Sequence, residues 1–193
     1  MRKTTKKLTL SAMFMALGMV LPFLTGQIQQ IGNMLLPMHL PVFLCGLLCG
    51  WQYGAVVGFI LPLFRSVTFG MPPLYPMALA MAFELATYGL VAGLLYGRSR
   101  WQCVRALYRA LIIAMLSGRI VWGAAEIVLL GIGGNKFTWE MFLSGVLLNS
   151  IPGIIIQLTL IPAIMIVLNK TGLVRFERKK AQSQILWDLG FRS

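Results

Sequence analysis

The chain is poor in acid. Across 193 residues it has five Asp and Glu against 17 Lys and Arg, and a single histidine, His39. Only 11% of residues are charged, where a soluble domain carries about 25%. Three cysteines, Cys45, Cys49 and Cys103, are too few for a disulfide framework. Cys45 and Cys49 lie four apart on one helical face, which is half a metal site. No histidine or acid stands at ligand spacing from them, so they read as apolar filler and no metal is expected. Phosphate-cradling and hydrolytic signatures are also missing: there is no G-x-x-x-x-G-K-[ST], no H-E-x-x-H and no G-x-S-x-G. No cofactor is expected.

What the chain does have is apolar residues, 58% of the total, in long runs. The runs are apolar on every face, whereas membrane strands would alternate, so the reading is an all-α integral membrane protein. The net charge of +12 would suggest nucleic acid on a soluble protein. Here all but three basic residues (Arg65, Arg119 and Lys136) fall in an amino-terminal cluster, a central loop over 97–106 or at its border, and a carboxy-terminal tail. The positive-inside rule puts these clusters in the cytoplasm, with both termini inside, an even number of spans and no nucleic-acid partner. The amino terminus is basic and then apolar, like a signal peptide. Its apolar run is long for that role and no small-x-small site follows, so it reads as an uncleaved first span.

The expected organisation is a basic cytoplasmic leader (1–7), a six-helix membrane domain (8–168) and a basic cytoplasmic tail (169–193). The spans are placed at 8–25, 39–50, 54–67, 76–96, 107–131 and 141–168, with a tight inner turn over 50–53. The second is short: at 1.5 Å per residue it covers only about 18 Å of a roughly 30 Å hydrocarbon core. Gly54 and Gly58 permit close helix packing, and Pro62 is expected to kink the third span. Outer loops over 26–38 and 68–75 are read as closing over a pocket; the second is stiffened by Met71-Pro72-Pro73-Leu74-Tyr75-Pro76.

Charges inside spans are costly, about 2.5–3.5 kcal/mol each on insertion scales, so they face a cavity or a partner. Arg65 ends the third span; it can snorkel to headgroups or face the pocket. Glu84 lies about 12 Å deep by helix rise, with Tyr88 one turn below; it is either a structural partner or a ligand contact. Arg119, Trp122, Gly123 and Glu126 share one stripe of the fifth span at offsets of 3, 4 and 7, which suits a ligand wall. Asn149 in the sixth span offers an amide donor and acceptor, either to a neighbouring helix or to a ligand. His39 is interfacial or in the pocket, and Tyr75 is an anchor or a lid aromatic. Two arginines and two glutamates sum to zero charge at one level of the outer half, a geometry for capturing a small polar molecule from outside. An intramembrane enzyme using buried Glu and Arg is the alternative, and a scaffold protein a third; a scaffold would not need four buried charges.

Ala12 and Ala16 make a small-residue step in the first span, for internal packing or for a second membrane protein. With the basic leader before Leu8-Thr9-Leu10-Ser11-Ala12-Met13-Phe14-Met15-Ala16-Leu17, the short spans and the MPPLYP turn, residues 5–170 resemble the substrate-binding S component of energy-coupling factor (ECF) vitamin transporters. That resemblance implies capture of a water-soluble vitamin or precursor, pantothenate- or pyridoxine-like. It implies docking through Ala12 and Ala16 on a transmembrane coupling protein that works with two ATPase subunits. It also implies a multi-pass location in a bacterial cell membrane, with no catalytic residues.

Overall fold

The computed structural model describes residues 2–25, 37–99, 101–132 and 151–171. Among them are six α-helices: α1 (Arg2–Val20), α2 (His39–Cys49), α3 (Trp51–Phe69), α4 (Leu79–Arg98), α5 (Val104–Ile132) and α6 (Ile151–Lys170). Five helical stretches are long and apolar enough to cross a bilayer: Thr4–Phe23, Trp51–Phe69, Leu74–Arg98, Val104–Gly131 and Gly153–Lys170. The 11-residue α2 is apolar but shorter. The described residues are thus helical, with several stretches of membrane-spanning length and composition.

The element boundaries follow local chemistry. Proline lacks an N–H and disfavours the α conformation in the residue before it. At Leu21-Pro22, α1 accordingly gives way to a 3₁₀ turn over Leu21–Thr25. Between α2 and α3 the expected four-residue turn is a single residue. Gly50 has φ 108° and ψ 164°, open to glycine and strained for other residues, and α3 starts at Trp51. At the far end of α3, Gly70 takes the left-handed conformation (φ 69°) and its N–H donates to the Ser66 carbonyl at 2.9 Å, a glycine stop. Pro62 lies inside α3. A π-helical turn over Leu74–Ala78 leads into α4. The first helix begins at Arg2, so the expected leader is itself helical.

Glycine sets how closely α2, α3 and α4 approach. A Cβ on Gly46 would lie 2.5 Å from the Gly89 carbonyl oxygen. One on Gly54 would lie 2.5 Å from the Gly46 Cα, and one on Gly93 would lie 2.7 Å from the Trp51 backbone. Gly58 sits equally tight on the Leu85–Ala86 backbone. The three helices touch backbone to backbone, with no side chain between them to yield. Two apolar clusters complete the interior. One, with Phe43, Tyr88, Leu107, Leu111, Ile161 and Met165, joins α2, α4, α5 and α6. The other, with Val42, Cys45, Val57, Leu61 and Leu85, joins α2, α3 and α4 and receives α1 through Phe14 and Met15. The α4 stretch is the most enclosed of the five apolar stretches, at 50% buried, and the α1 stretch the least, at 17%.

The bundle has two chemically different ends. Lys7 reaches the Gly50 turn, and the Gly93–Trp51 contact brings the last turns of α4, with Arg98, to the same end. At the opposite end lie the α1 terminus, the end of α3 and the π turn, which Tyr75 ties to α5 by donating its hydroxyl to the Leu129 carbonyl.

Candidate functional site

Glu84 is the hub. It lies in the second turn of α4 and is 2% exposed. Three donors from three helices converge on its Oε1. The Tyr88 hydroxyl, one turn along α4, donates at 2.6 Å. Arg119 of α5 places Nη1 at 3.1 Å. His39, in the first turn of α2, has Nε2 at 3.9 Å, within ion-pair reach but beyond a hydrogen bond. A buried carboxylate in a membrane protein needs such company, because an isolated ion there is far from water.

The aromatic packing holds this geometry. Tyr88 stacks on Phe43 at 5.0 Å between ring centroids, and His39 tilts against the same Tyr88 ring at 5.3 Å. Gly118 makes the α4–α5 approach possible: a Cβ there would lie 2.5 Å from Tyr88 Cδ1 and 2.9 Å from Cζ. Because Gly118 precedes Arg119, the residue that admits the Tyr88 ring also delivers the guanidinium to Glu84.

Not every donor at the hub is used. Among the described residues, neither ring nitrogen of His39 has a hydrogen-bond partner, although the side chain is 1% exposed. Arg119 gives Nη1 to Glu84, while its buried Nε and Nη2 have none. On the same stripe of α5, Trp122 is half-buried, Gly123 is buried and Glu126 is 6% exposed. No described cation stands within ion-pair distance of Glu126.

Arg65 lies elsewhere. It is 3% exposed, yet no ion pair joins it to Glu84. Its Nη1 donates to the Met19 carbonyl at 2.7 Å. Its guanidinium sits 5.2 Å from the Phe23 ring and 5.4 Å from Phe69, which themselves meet edge to face at 4.9 Å. Met19 is in the last turn of α1, where carbonyls lack helical partners. Arg65 fills that need and fastens α1 to α3. The sequence leaves Arg65 to face the pocket or snorkel; among the described residues its contacts are to the end of α1 and to two rings, and of the two arginines only Arg119 pairs with a glutamate. Tyr75 is largely exposed on the π turn. Asn149 lies outside the described residues, as do 26–36 of the first expected lid.

Phe43, Gly118 and the Met19 carbonyl are structurally central and were not singled out from the sequence. The Tyr88–Gly118 pairing is between two helices and leaves no spacing pattern in either. The small-residue step of α1 faces out: Ala12 and Ala16 are both exposed. Beside Ala12 runs an apolar groove of about 370 Å³, whose walls include Leu8 and Met15 of α1 and Tyr53, Val56 and Ile60 of α3.

The described residues thus combine helices long and apolar enough to cross a membrane with a buried cluster of polar side chains. A family model described as "ECF transporter, substrate-specific component" matches residues 6–165. The chain therefore belongs to that family. It is a substrate-binding subunit of a transporter that works with an ECF module and a small-molecule substrate, and it is not an enzyme. The chain matches no curated protein. It matches no solved structure.

Proposed function

We propose that the protein captures a small water-soluble vitamin or vitamin precursor, pantothenate- or pyridoxine-like, from outside a bacterial cell. It hands this ligand to an ATP-driven module made of a transmembrane coupling protein and two ATPase subunits. The observation that carries the reading is the Glu84 hub. Three helices bring a carboxylate, a phenol, a guanidinium and an imidazole together out of water, with donors left over, in a chain of a substrate-binding family.

In this reading Glu84, Arg119, His39 and Tyr88 form the floor of the site, and Trp122 and Glu126 its wall. Asn149, two residues before α6 in the sequence, would contribute as well. Tyr75 holds the Pro-rich turn against α5, and Arg65 fixes the outer end of α1 beside it. The basic end of the bundle would face the cytoplasm, with both termini and six crossings counted, α2 being the short one. Ala12 and Ala16 would dock on the coupling protein. Their exposure and the adjoining apolar groove support this, since small residues let a second helix approach closely.

Replacing Ala12 or Ala16 by Trp tests the whole reading. Uptake by cells or proteoliposomes carrying the complete transporter should fall at least tenfold, while ligand binding by the isolated subunit stays within threefold of wild type. Loss of both activities together would assign the step to internal packing instead.

A further inference from the structure

The unused edge of Arg119 carries information about the ligand. A guanidinium offers five N–H donors in a fixed plane. Glu84 takes Nη1, on the side of the side-chain stem. The two nitrogens left without a described partner, Nε and Nη2, are neighbours on the opposite edge. Their N–H bonds run parallel, and this is the edge that grips a carboxylate through two bonds at once. Both atoms are buried, as is His39, whose two ring nitrogens also lack a described partner. A buried donor without an acceptor is costly, and water is not at hand in the bilayer core to relieve it.

We infer that the bound molecule carries a carboxylate, seated on the Nε–Nη2 edge of Arg119 with His39 as a further donor. This rests on the proposal that the Glu84 hub is the ligand site. Charge selects among oxyanions. Arg119 and Glu84 cancel, and Glu126 lies two turns further along α5, about 10 Å away by helix rise. A dianionic phosphate would bring two more negative charges to a site with one arginine, whereas a carboxylate brings one. Glu84 in turn keeps the guanidinium in place: Tyr88 and Arg119 both hold its Oε1, so the free edge keeps its direction.

The test uses the full chain purified in detergent. Native mass spectrometry identifies any molecule retained from the cells. Thermal-shift titrations then compare two acid–neutral pairs, pantothenate with pantothenol and nicotinate with nicotinamide. Arg119→Lys is the central variant, because lysine keeps the charge that pairs with Glu84 but lacks the two-pronged edge. The double variant Arg119→Gln with Glu84→Gln removes the buried pair together and guards against a variant that simply fails to fold.

The retained molecule is expected to bear a carboxylate, or one acid member to stabilise wild type at least 100-fold more effectively than its neutral partner. Arg119→Lys should erase most of that preference at near wild-type stability, and His39→Gln should weaken acid binding about tenfold. A retained phosphate ester or neutral molecule overturns the inference. So does an acid preference that survives Arg119→Lys, or a wild-type protein that retains nothing and responds to no acid member. If a neutral molecule is bound and then lost on Glu84→Gln, the ligand site stands and only the carboxylate fails. If binding is indifferent to Glu84→Gln, Arg119→Lys and Trp122→Ala alike, the site itself is misplaced.

Discussion

Arg65 and Arg119 both bring a guanidinium inside the bundle, and they use it in opposite ways. Arg65 turns to backbone and aromatic rings: the Met19 carbonyl, Phe23 and Phe69. Those partners belong to the ends of two helices, and fastening them is a complete job for the side chain. Arg119 turns to a buried carboxylate and still has an edge in hand. The difference teaches how to read a charge in a membrane helix. A buried cation whose contacts are carbonyls and rings is doing structural work. One that shares a carboxylate with a phenol and an imidazole, with donors to spare, is the one we propose for the ligand site.

The largest effect should come from breaking the Arg119 pair. Arg119→Ala leaves Glu84 buried with only Tyr88 bonded to it, and removing one partner of a buried pair costs about 3–5 kcal/mol. The thermal midpoint of the purified protein should fall by many degrees, and ligand binding should be lost. Adding Glu84→Gln should recover more than half of the stability and none of the binding. If the double variant binds ligand normally, Arg119 has no place in the site and the contrast with Arg65 collapses.

Arg65→Ala should be milder for binding and of a different kind. It removes a charged hydrogen bond, about 1.5–3 kcal/mol, and two ring contacts of roughly 0.5–2 kcal/mol each. Unfolding should shift accordingly, while the folded protein binds ligand within threefold of wild type. Calorimetry and binding titrations on one preparation settle it. A hundredfold loss of binding at unchanged stability would move Arg65 into the site, where the sequence reading had placed it.

Helical class and membrane character were legible because they rest on run length and composition, which need no partner. The placing of Tyr88 one turn from Glu84 and the α5 stripe of Arg119, Trp122 and Glu126 were legible because helix periodicity fixes them. The choice between the two arginines was not. Arg65 and Arg119 each follow a run of apolar residues, and nothing local says that one will meet the end of α1 and the other Glu84. That depends on which helices are neighbours. Those neighbours are brought close by glycines, Gly118 of α5 against Tyr88 and Gly18 of α1 against Leu61, whose value appears only when the facing helix is in place. The single-residue turn at Gly50 was missed for a related reason: the polar look of Trp51-Gln52-Tyr53 suggests a loop, but apolar packing of Tyr53 and Gly54 carries the helix through it.

The smallest expected effect concerns the side of the hub away from Arg119. Tyr88→Phe keeps the ring that stacks on Phe43 and removes only the hydroxyl. Glu84 Oε1 still has Arg119 at 3.1 Å, so no carboxylate is stranded. The loss should be that of one hydrogen bond to a charged acceptor whose other partner remains, about 1.5 kcal/mol, the lower end for such bonds. Binding should weaken by roughly fivefold to tenfold on the same principle, through a Glu84 that holds Arg119 less firmly. Titration of the Phe variant beside wild type reads this directly. A loss as large as that of Arg119→Ala would mean that the phenol itself grips the ligand. No loss at all would mean that Arg119 alone holds Glu84 in register, and that the guanidinium is the whole of the difference between the two arginines.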